Sequence, residues 1–333
     1  MLTLEQIKYR LSLASKVFVL TDETLAALWL PEMERWLGVE DAEEIVLEAG
    51  EQNKNIYKVM HVWNRLHKAQ ADRDAIMINF GGGMITDLGG FAATTYLRGI
   101  PFINVPTTLL GMVDASIGGK NGINLGAVKN QIGTFSEPLE VLVNPIYLST
   151  LSERDLLSGL VEMIKYGFIA DPAMLKVDRN NYEQYLLRAG RIKKEIVAKD
   201  FREQGTRKVL NFGHTFGHAF EGYSLTTSCP LTHGESVAIG MWCALRVSIE
   251  LCGLPDSVLL DYEPKMRMLL SESDAAFSEK EVGDMVPYLL YDKKRRSGQG
   301  RFVLLKNLAE PVCDQTVPDE LARQTFYKVI KKI

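Results

Sequence analysis

Three of the chain's five histidines fall in one short stretch, at His214, His218 and His233. His214 and His218 are four residues apart in Asn211-Phe212-Gly213-His214-Thr215-Phe216-Gly217-His218, a spacing that puts both imidazoles on one face of a helix. His233 opens His233-Gly234-Glu235-Ser236, where another helix starts. Two or three imidazoles with one carboxylate make a zinc site that keeps a coordination position open. Histidines that only make hydrogen bonds are the plainer alternative. A carboxylate is on offer at Glu162, in Gly159-Leu160-Val161-Glu162-Met163-Ile164-Lys165-Tyr166-Gly167. An ionised Glu in such apolar helical sequence needs a partner, because burying a lone charge is costly. Lys165 lies one turn along on the same face, either as a cation aimed at a ligand or as half of a surface ion pair.

Further cations stand beside glycines or asparagines: Arg98 before Gly99, Lys120 after Gly118-Gly119, Lys129 before Asn130, and Arg207. Each alone reads as a solvated charge; as a set they suit an acidic, phosphorylated small molecule. Glycine is concentrated between Gly81 and Gly133. Gly81-Gly82-Gly83 follows an apolar run and precedes a helical pattern, which aims backbone N–H groups at a phosphate. It is not the GxGxxG fingerprint, and a tight structural turn explains it equally well.

The elements that must carry these residues divide the chain in two. In residues 1–151, apolar runs at 16–20, 75–80, 102–105 and 141–143 read as strands, with helices between them, such as 24–36 and 56–69. Such alternation predicts an α/β domain with a parallel sheet buried on both faces. In residues 152–333 the patterns at 153–169, 182–199, 214–223, 234–251 and 318–331 are helical, and 301–305 is a late strand. The last helix would carry Pro318 at its first position. Hydrophobic residues make up 46% of the 333 and charged residues 24%, which fits a folded enzyme. The net charge of −4 argues against nucleic acid as the ligand. No long apolar run implies a membrane span. The start of the chain lacks a signal-peptide pattern, and Cys229, Cys243, Cys252 and Cys313 show no CxxC spacing, so a cytoplasmic location is expected.

Taken in order, the motifs resemble the 3-dehydroquinate synthase family of the sugar-phosphate cyclase superfamily. They are Gly81-Gly82-Gly83-Met84-Ile85-Thr86-Asp87, Tyr96-Leu97-Arg98-Gly99, Val105-Pro106-Thr107-Thr108, Val113-Asp114-Ala115-Ser116-Ile117-Gly118-Gly119-Lys120, Lys129-Asn130-Gln131-Ile132-Gly133, the Glu162 and His214 segments, His233-Gly234-Glu235, and Asp292-Lys293-Lys294. The resemblance spans nearly the whole chain. It implies a Rossmann-like NAD-binding domain at residues 1–151 and a mainly α-helical metal-binding and substrate-binding domain at 152–333. It also implies conversion of 3-deoxy-D-arabino-heptulosonate 7-phosphate to 3-dehydroquinate and phosphate, with NAD used and regenerated in each turnover and a Zn²⁺ or Co²⁺ ion.

By position in this sequence, the resemblance makes Glu162, His214 and His233 the metal ligands and moves His218 to the substrate. Lys120, Lys165, Arg207, Asn211 and His218 then act at the reacting substrate, and Arg98, Asp114, Asn130, Lys193 and Lys294 bind it. Either Lys293 or Lys294 would close over it. NAD contacts fall on Asp22, Glu51, Lys54, Gly82, Gly83, Asp87, Thr107, Thr108, Lys129 and Thr150. Arg98 matches a residue that can reach the neighbouring subunit, which implies a homodimer. Asn121 stands where many members carry Thr, and Leu125-Gly126-Ala127-Val128 replaces a more familiar HPLG. These departures leave room for a sister cyclase acting on another sugar phosphate. The rival readings are a metal-dependent polyol dehydrogenase, which would release NADH stoichiometrically, and a non-catalytic NAD- or sugar-phosphate-binding regulator, which would lack a metal ligand.

Overall fold

Strand formation in the first part of the chain follows its apolar runs. The computed structural model describes residues 2–126, 128–273, 277, 279–290 and 301–330. Contacts divide the chain into two units, Met1–Leu151 and Ser152–Ile333.

The first unit opens with α1 (Leu4–Leu13), whose Thr3 and Gln6 form a reciprocal capping box. It continues through β1 (Val17–Asp22), α2 (Glu23–Leu28), α3 (Leu30–Leu37), β2 (Glu43–Leu47), α4 (Ile56–Lys68), β3 (Ile76–Gly81), α5 (Gly83–Thr95), β4 (Phe102–Pro106), β5 (Lys120–Leu125) and β6 (Val128–Phe135). The first four strands form one parallel sheet in the order β2-β1-β3-β4. β3 and β4 are buried at every position, as strands covered on both faces must be. Leu20, Ile45, Met77, Val59, Val62, Ile85, Leu88 and Phe91 fill the core between the sheet and its helices. Two asparagines interrupt the apolar strands: Asn79 Nδ2 donates to Asn104 Oδ1 at 2.9 Å and Asn104 Nδ2 donates to the Ser116 carbonyl, while Asn79 Oδ1 is buried without a hydrogen-bond partner.

Several elements differ from the sequence expectation. The helix expected over 24–36 is two helices, because the chain turns at Trp29 and Pro31 sits in the first turn of α3. The run 141–143 is not a strand; Val141 makes a single bridge to Asn104 before Asn144 turns the chain by capping Ile146. β2 escaped notice because Glu43 and Glu44 face outward and only Ile45 and Leu47 are buried. β5 and β6 are an antiparallel hairpin in the glycine-rich region, outside the four-stranded sheet.

The second unit holds α6 (Glu153–Ile169), α7 (Leu186–Lys199), α8 (His214–Ser224), α9 (His233–Cys252), α10 (Asp256–Leu269), α11 (Glu279–Leu290), β7 (Arg301–Asn307), β8 (Glu310–Thr316) and α12 (Asp319–Ile330). The segment expected as one helix from 182 begins as a tight turn, Tyr182–Tyr185, ahead of α7. α12 starts after Pro318, whose carbonyl accepts from Ala322 N. β7 is the expected late strand, and it pairs antiparallel with β8.

α6 is buried from Leu157 through Ile169 and α9 is buried nearly throughout its first three turns, so both are central helices. α8 packs on α9 through glycine. A Cβ on Gly240 would lie 2.0 Å from the Gly213 carbonyl oxygen, and Gly213 itself has φ of +79°. The two helices therefore meet backbone to backbone, with the start of α8 beside the first turns of α9.

Candidate functional site

The second unit gathers one carboxylate and two imidazoles from three helices. Glu162 is fully buried in the middle of α6. His214 is the first residue of α8 and His233 the first residue of α9. His214 Nε2 lies 3.8 Å from Glu162 Oε1, and His233 Nε2 lies 3.7 Å from the same oxygen. Ligand atoms of the three residues all lie within 4.8 Å of one another, and among the described residues they form the one such cluster of metal-ligating groups.

The separations decide what the cluster can hold. At 3.7–3.8 Å the imidazoles are too far to hydrogen-bond to Oε1, which is buried with no hydrogen-bond partner. Ligands about 2.0–2.2 Å from a common ion account for such a gap. Two nitrogens and one oxygen suit Zn²⁺ or Co²⁺ and leave a position for substrate. The His214 ring is oriented by its other nitrogen: Nδ1 is 3.2 Å from the Phe212 carbonyl, which accepts its proton and leaves Nε2 to face Glu162. His233 Nδ1 lies 3.6 Å from Glu221 Oε1, a carboxylate the sequence reading passed over. The residues present thus fit a divalent cation.

Lys165 Nζ contacts Glu162 Oε2, with only 1% of the lysine side chain exposed. It is a buried ion pair facing the cluster, not the surface pair that the spacing also allowed. His218 is exposed on α8; its ring stands edge-on to His214 at 5.6 Å between centroids, outside the three-ligand cluster.

Other predicted residues of this unit rest on a shaped turn. Asp200 accepts backbone N–H groups from Gln204, Gly205 and Arg207, which hold its carboxyl below the usual range. Within the turn so formed, the buried Arg207 donates through Nη1 to the Phe201 carbonyl at 2.6 Å, and Asn211 Nδ2 donates to Glu203 Oε1. Lys193 is buried on α7. Lys293 and Lys294 lie outside the described residues.

The first unit assembles a separate cluster. Lys54, 3% exposed, donates to Asp87 Oδ2 at 2.6 Å and to Asn130 Oδ1 at 2.7 Å, with Glu51 Oε1 at 3.9 Å. Asn124 knits the group together: its amide donates to Glu51 Oε1, its Oδ1 accepts from Asn130 N, and its own N–H goes to the Lys54 carbonyl. Asn124 carried no sequence signal of its own, since its role depends on the β5–β6 hairpin.

Gly82 caps α5 and Gly83 is its first residue. A Cβ on Gly82 would come within 3.0 Å of Thr108 Cγ2, so these two predicted NAD positions are neighbours. Thr108 Oγ1 accepts from Gly111 N, and Thr107 N donates to the Gly81 carbonyl. Asp22 ends β1 and caps α2 through Thr24 and Leu25; burial pushes its carboxyl up despite those bonds. Thr150 Oγ1 accepts from Trp29 Nε1. Asp114 is half-buried in the turn Gly111–Ala115, Lys129 is half-buried on β6, and Lys120 is exposed at the start of β5. Arg98 is exposed with a left-handed φ of 67°, next to Leu97 at 49°.

A parallel α/β unit followed by a mainly helical unit is a fold shared with solved sugar-phosphate cyclases and, at a TM-score of 0.65 and 16% identity, with an iron-containing alcohol dehydrogenase. The 2-epi-5-epi-valiolone synthase of Streptomyces hygroscopicus subsp. jinggangensis, solved with NAD⁺ and Zn²⁺ bound, matches 97% of this chain and 92% of its own at 25% identity and a TM-score of 0.83. A 2-deoxy-scyllo-inosose synthase solved with carbaglucose-6-phosphate, NAD⁺ and Co²⁺ shares the fold at a TM-score of 0.83 and 22% identity, over 98% and 94% of the two chains.

In sequence, residues 44–158 match the 3-dehydroquinate synthase N-terminal family and residues 159–295 its C-terminal family. The 3-dehydroquinate synthase of Parabacteroides distasonis is 38% identical over 331 residues, covering 94% of this chain and 91% of that protein. The chain belongs to the 3-dehydroquinate synthase family, a family of enzymes.

Proposed function

We propose that the chain converts 3-deoxy-D-arabino-heptulosonate 7-phosphate into 3-dehydroquinate and phosphate, the cyclisation of the shikimate route to aromatic amino acids. Family membership over most of the chain supports this reading. The observation that carries it is the buried Glu162 carboxylate, whose Oε1 has no hydrogen-bond partner and faces two imidazole nitrogens. In this reading Glu162, His214 and His233 hold the metal, zinc or cobalt. Unit Met1–Leu151 binds NAD and unit Ser152–Ile333 binds the metal and substrate.

Glu162, His214 and His233 would hold a metal that would supply Lewis-acid polarisation of substrate hydroxyls, and unit Met1–Leu151 would hold NAD, which would supply a reversible hydride acceptor. The chain's own groups supply the rest. In this reading Lys165 donates to a hydroxyl or carboxylate oxygen of the substrate, a role supported by its contact with Glu162. Arg207, Lys193, Lys120, Arg98 and Lys294 pair with its carboxylate and phosphate, and Asn130, Asn211 and Asp114 fix its hydroxyls. His218, exposed beside His214, contacts the phosphate, whose own oxygen takes the proton as it departs. Holding the opened chain in one geometry favours the intramolecular aldol closure over side reactions.

Asp22, Glu51, Lys54, Gly82, Gly83, Asp87, Thr107, Thr108, Lys129 and Thr150 serve NAD. The chain acts as a homodimer; the exposed, left-handed turn at Arg98 supports a reach toward a second copy. It works in the cytoplasm, where its free thiols stay reduced.

The test is turnover with NAD well below substrate, followed by phosphate release and product identification. Many turnovers per NAD, no lasting NADH absorbance and 3-dehydroquinate as product are expected. One NADH per substrate consumed would place the chain among the dehydrogenases, and another carbocycle from another sugar phosphate would make it a sister cyclase.

A further inference from the structure

The first three residues of α9 each face a different residue of α6, two of them through hydrogen bonds, and the three α6 residues lie on one stripe of that helix. Arg154, Ser158 and Glu162 are spaced i, i+4 and i+8. Opposite them, in reverse order, stand Glu235, Gly234 and His233. Arg154 Nε donates to Glu235 Oε1 at 2.8 Å, and its Nη2 donates to Oε2 at 2.7 Å. Glu235 is 3% exposed and the Arg154 side chain 39%, so a half-exposed arginine makes a two-pronged pair with a buried carboxylate. The same Nη2 also donates to the Pro230 carbonyl at 2.9 Å, in the loop that enters α9.

One residue back, Gly234 N donates to Ser158 Oγ at 2.9 Å. A Cβ on Gly234 would lie 2.3 Å from Ser158 Cα, so the two backbones touch. Glu235 also closes the capping box of α9: its Oε2 accepts from Thr232 N at 2.7 Å, while Thr232 Oγ1 accepts from Glu235 N. Each bond fixes the backbone on one side or the other of His233.

We propose that Arg154 is a positioning residue for the metal centre: through Glu235 and the Pro230 carbonyl it sets the first turn of α9 so that His233 faces Glu162. This rests on the reading of Glu162, His214 and His233 as metal ligands. A ligand that is the first residue of a helix, next to a loop, has little packing of its own to hold it; its backbone must be anchored from elsewhere. The Arg154–Glu235 pair provides that anchor from the same helix that carries the carboxylate ligand, so the spacing between the two ligands is set by one rigid element.

The experiment measures metal affinity of the full-length protein by competition with a chromogenic chelator. The visible spectrum of the Co²⁺-substituted protein reports the ligand geometry. Arg154→Met is expected to weaken Zn²⁺ binding about 10- to 100-fold, the usual effect of losing support behind a ligand, and to shift the Co²⁺ bands. Arg154→Lys, which can keep one contact to Glu235, should fall between it and the wild type. Glu235→Gln is the second variant if Arg154→Met does not fold: glutamine at this position still closes a capping box but gives up the charge, and it should weaken the metal in the same direction. Wild-type affinity and an unshifted Co²⁺ spectrum in the folded Arg154 or Glu235 variants would overturn the proposal, even if their melting temperatures fall. His233→Ala separates the two readings. If it loses the metal while Arg154→Met keeps it, only the positioning role fails; if it too keeps the metal, the ligand assignment fails with it.

Discussion

Lys165 is buried against Glu162, and that single contact gives the lysine two consequences that the sequence treated as rivals. It is an ion pair, and it is also a cation beside the candidate metal ligands. Removing the charge exposes both. In Lys165→Met the Glu162 carboxylate is left buried without its cation, and breaking such a pair costs about 3–5 kcal/mol. A bound metal restores the missing positive charge. The variant should therefore melt well below the wild type when metal-free and much closer to it when metal-loaded. Its turnover should fall roughly 10²-fold or more, the cost of losing one group that stabilises developing charge. Scanning calorimetry with and without Zn²⁺, beside a phosphate-release assay, checks both parts. A folded, zinc-loaded Lys165→Met protein as active as the wild type would reduce Lys165 to a structural partner of Glu162.

At the scale of elements, the distance between the two imidazoles is set by how closely α8 and α9 approach. The rings of His214 and His233 are 5.3 Å apart between centroids because the helices meet at Gly213 and Gly240. A methyl group on Gly240 would fall 2.0 Å from the Gly213 carbonyl and 2.6 Å from Gly217 N. These are backbone atoms, so the helices must part. Alanine gains up to about 1 kcal/mol of helix propensity over glycine, but overpacking costs about 1–3 kcal/mol or more. Gly240→Ala should lower the melting temperature and carry less than stoichiometric zinc after dialysis. Elemental analysis alongside thermal denaturation tests this; a variant at least as stable as wild type with full zinc would mean the helix crossing does not control the ligands.

For the whole molecule, the candidate ligands come from residues far apart in the chain, at 162, 214 and 233, so the cluster exists only once the helical unit has folded. Metal removal should accordingly abolish turnover while leaving most of the helical structure in place, and added Zn²⁺ or Co²⁺ should bring turnover back. Circular dichroism and activity, followed through chelation and reconstitution, report the two properties separately. Full turnover in metal-free protein would remove the basis of the proposed chemistry.

What the residues determined by themselves was local. Near-continuous apolar runs at 75–80 and 102–105 announced strands buried on both faces, observed at 76–81 and 102–106, because a parallel sheet covered on both sides has no polar face to display. The order of the glycine, lysine and histidine motifs was enough to imply the family and, through it, NAD and a metal. The edge strand at 43–47 was hidden because only one of its faces is buried, and the hairpin at 120–135 because much of it is exposed. Spacing alone favoured His214 with His218, since an i, i+4 pair shares a helix face whatever surrounds it. The resemblance put His233 in place of His218, and the tertiary structure gives the physical reason: the α8–α9 contact and the α6 stripe bring His233 to 3.7 Å from Glu162 Oε1. Asn124, Glu221 and Arg154 stayed unread for the same reason. Their partners are distant in sequence, and a side chain's role is set by what folding places beside it.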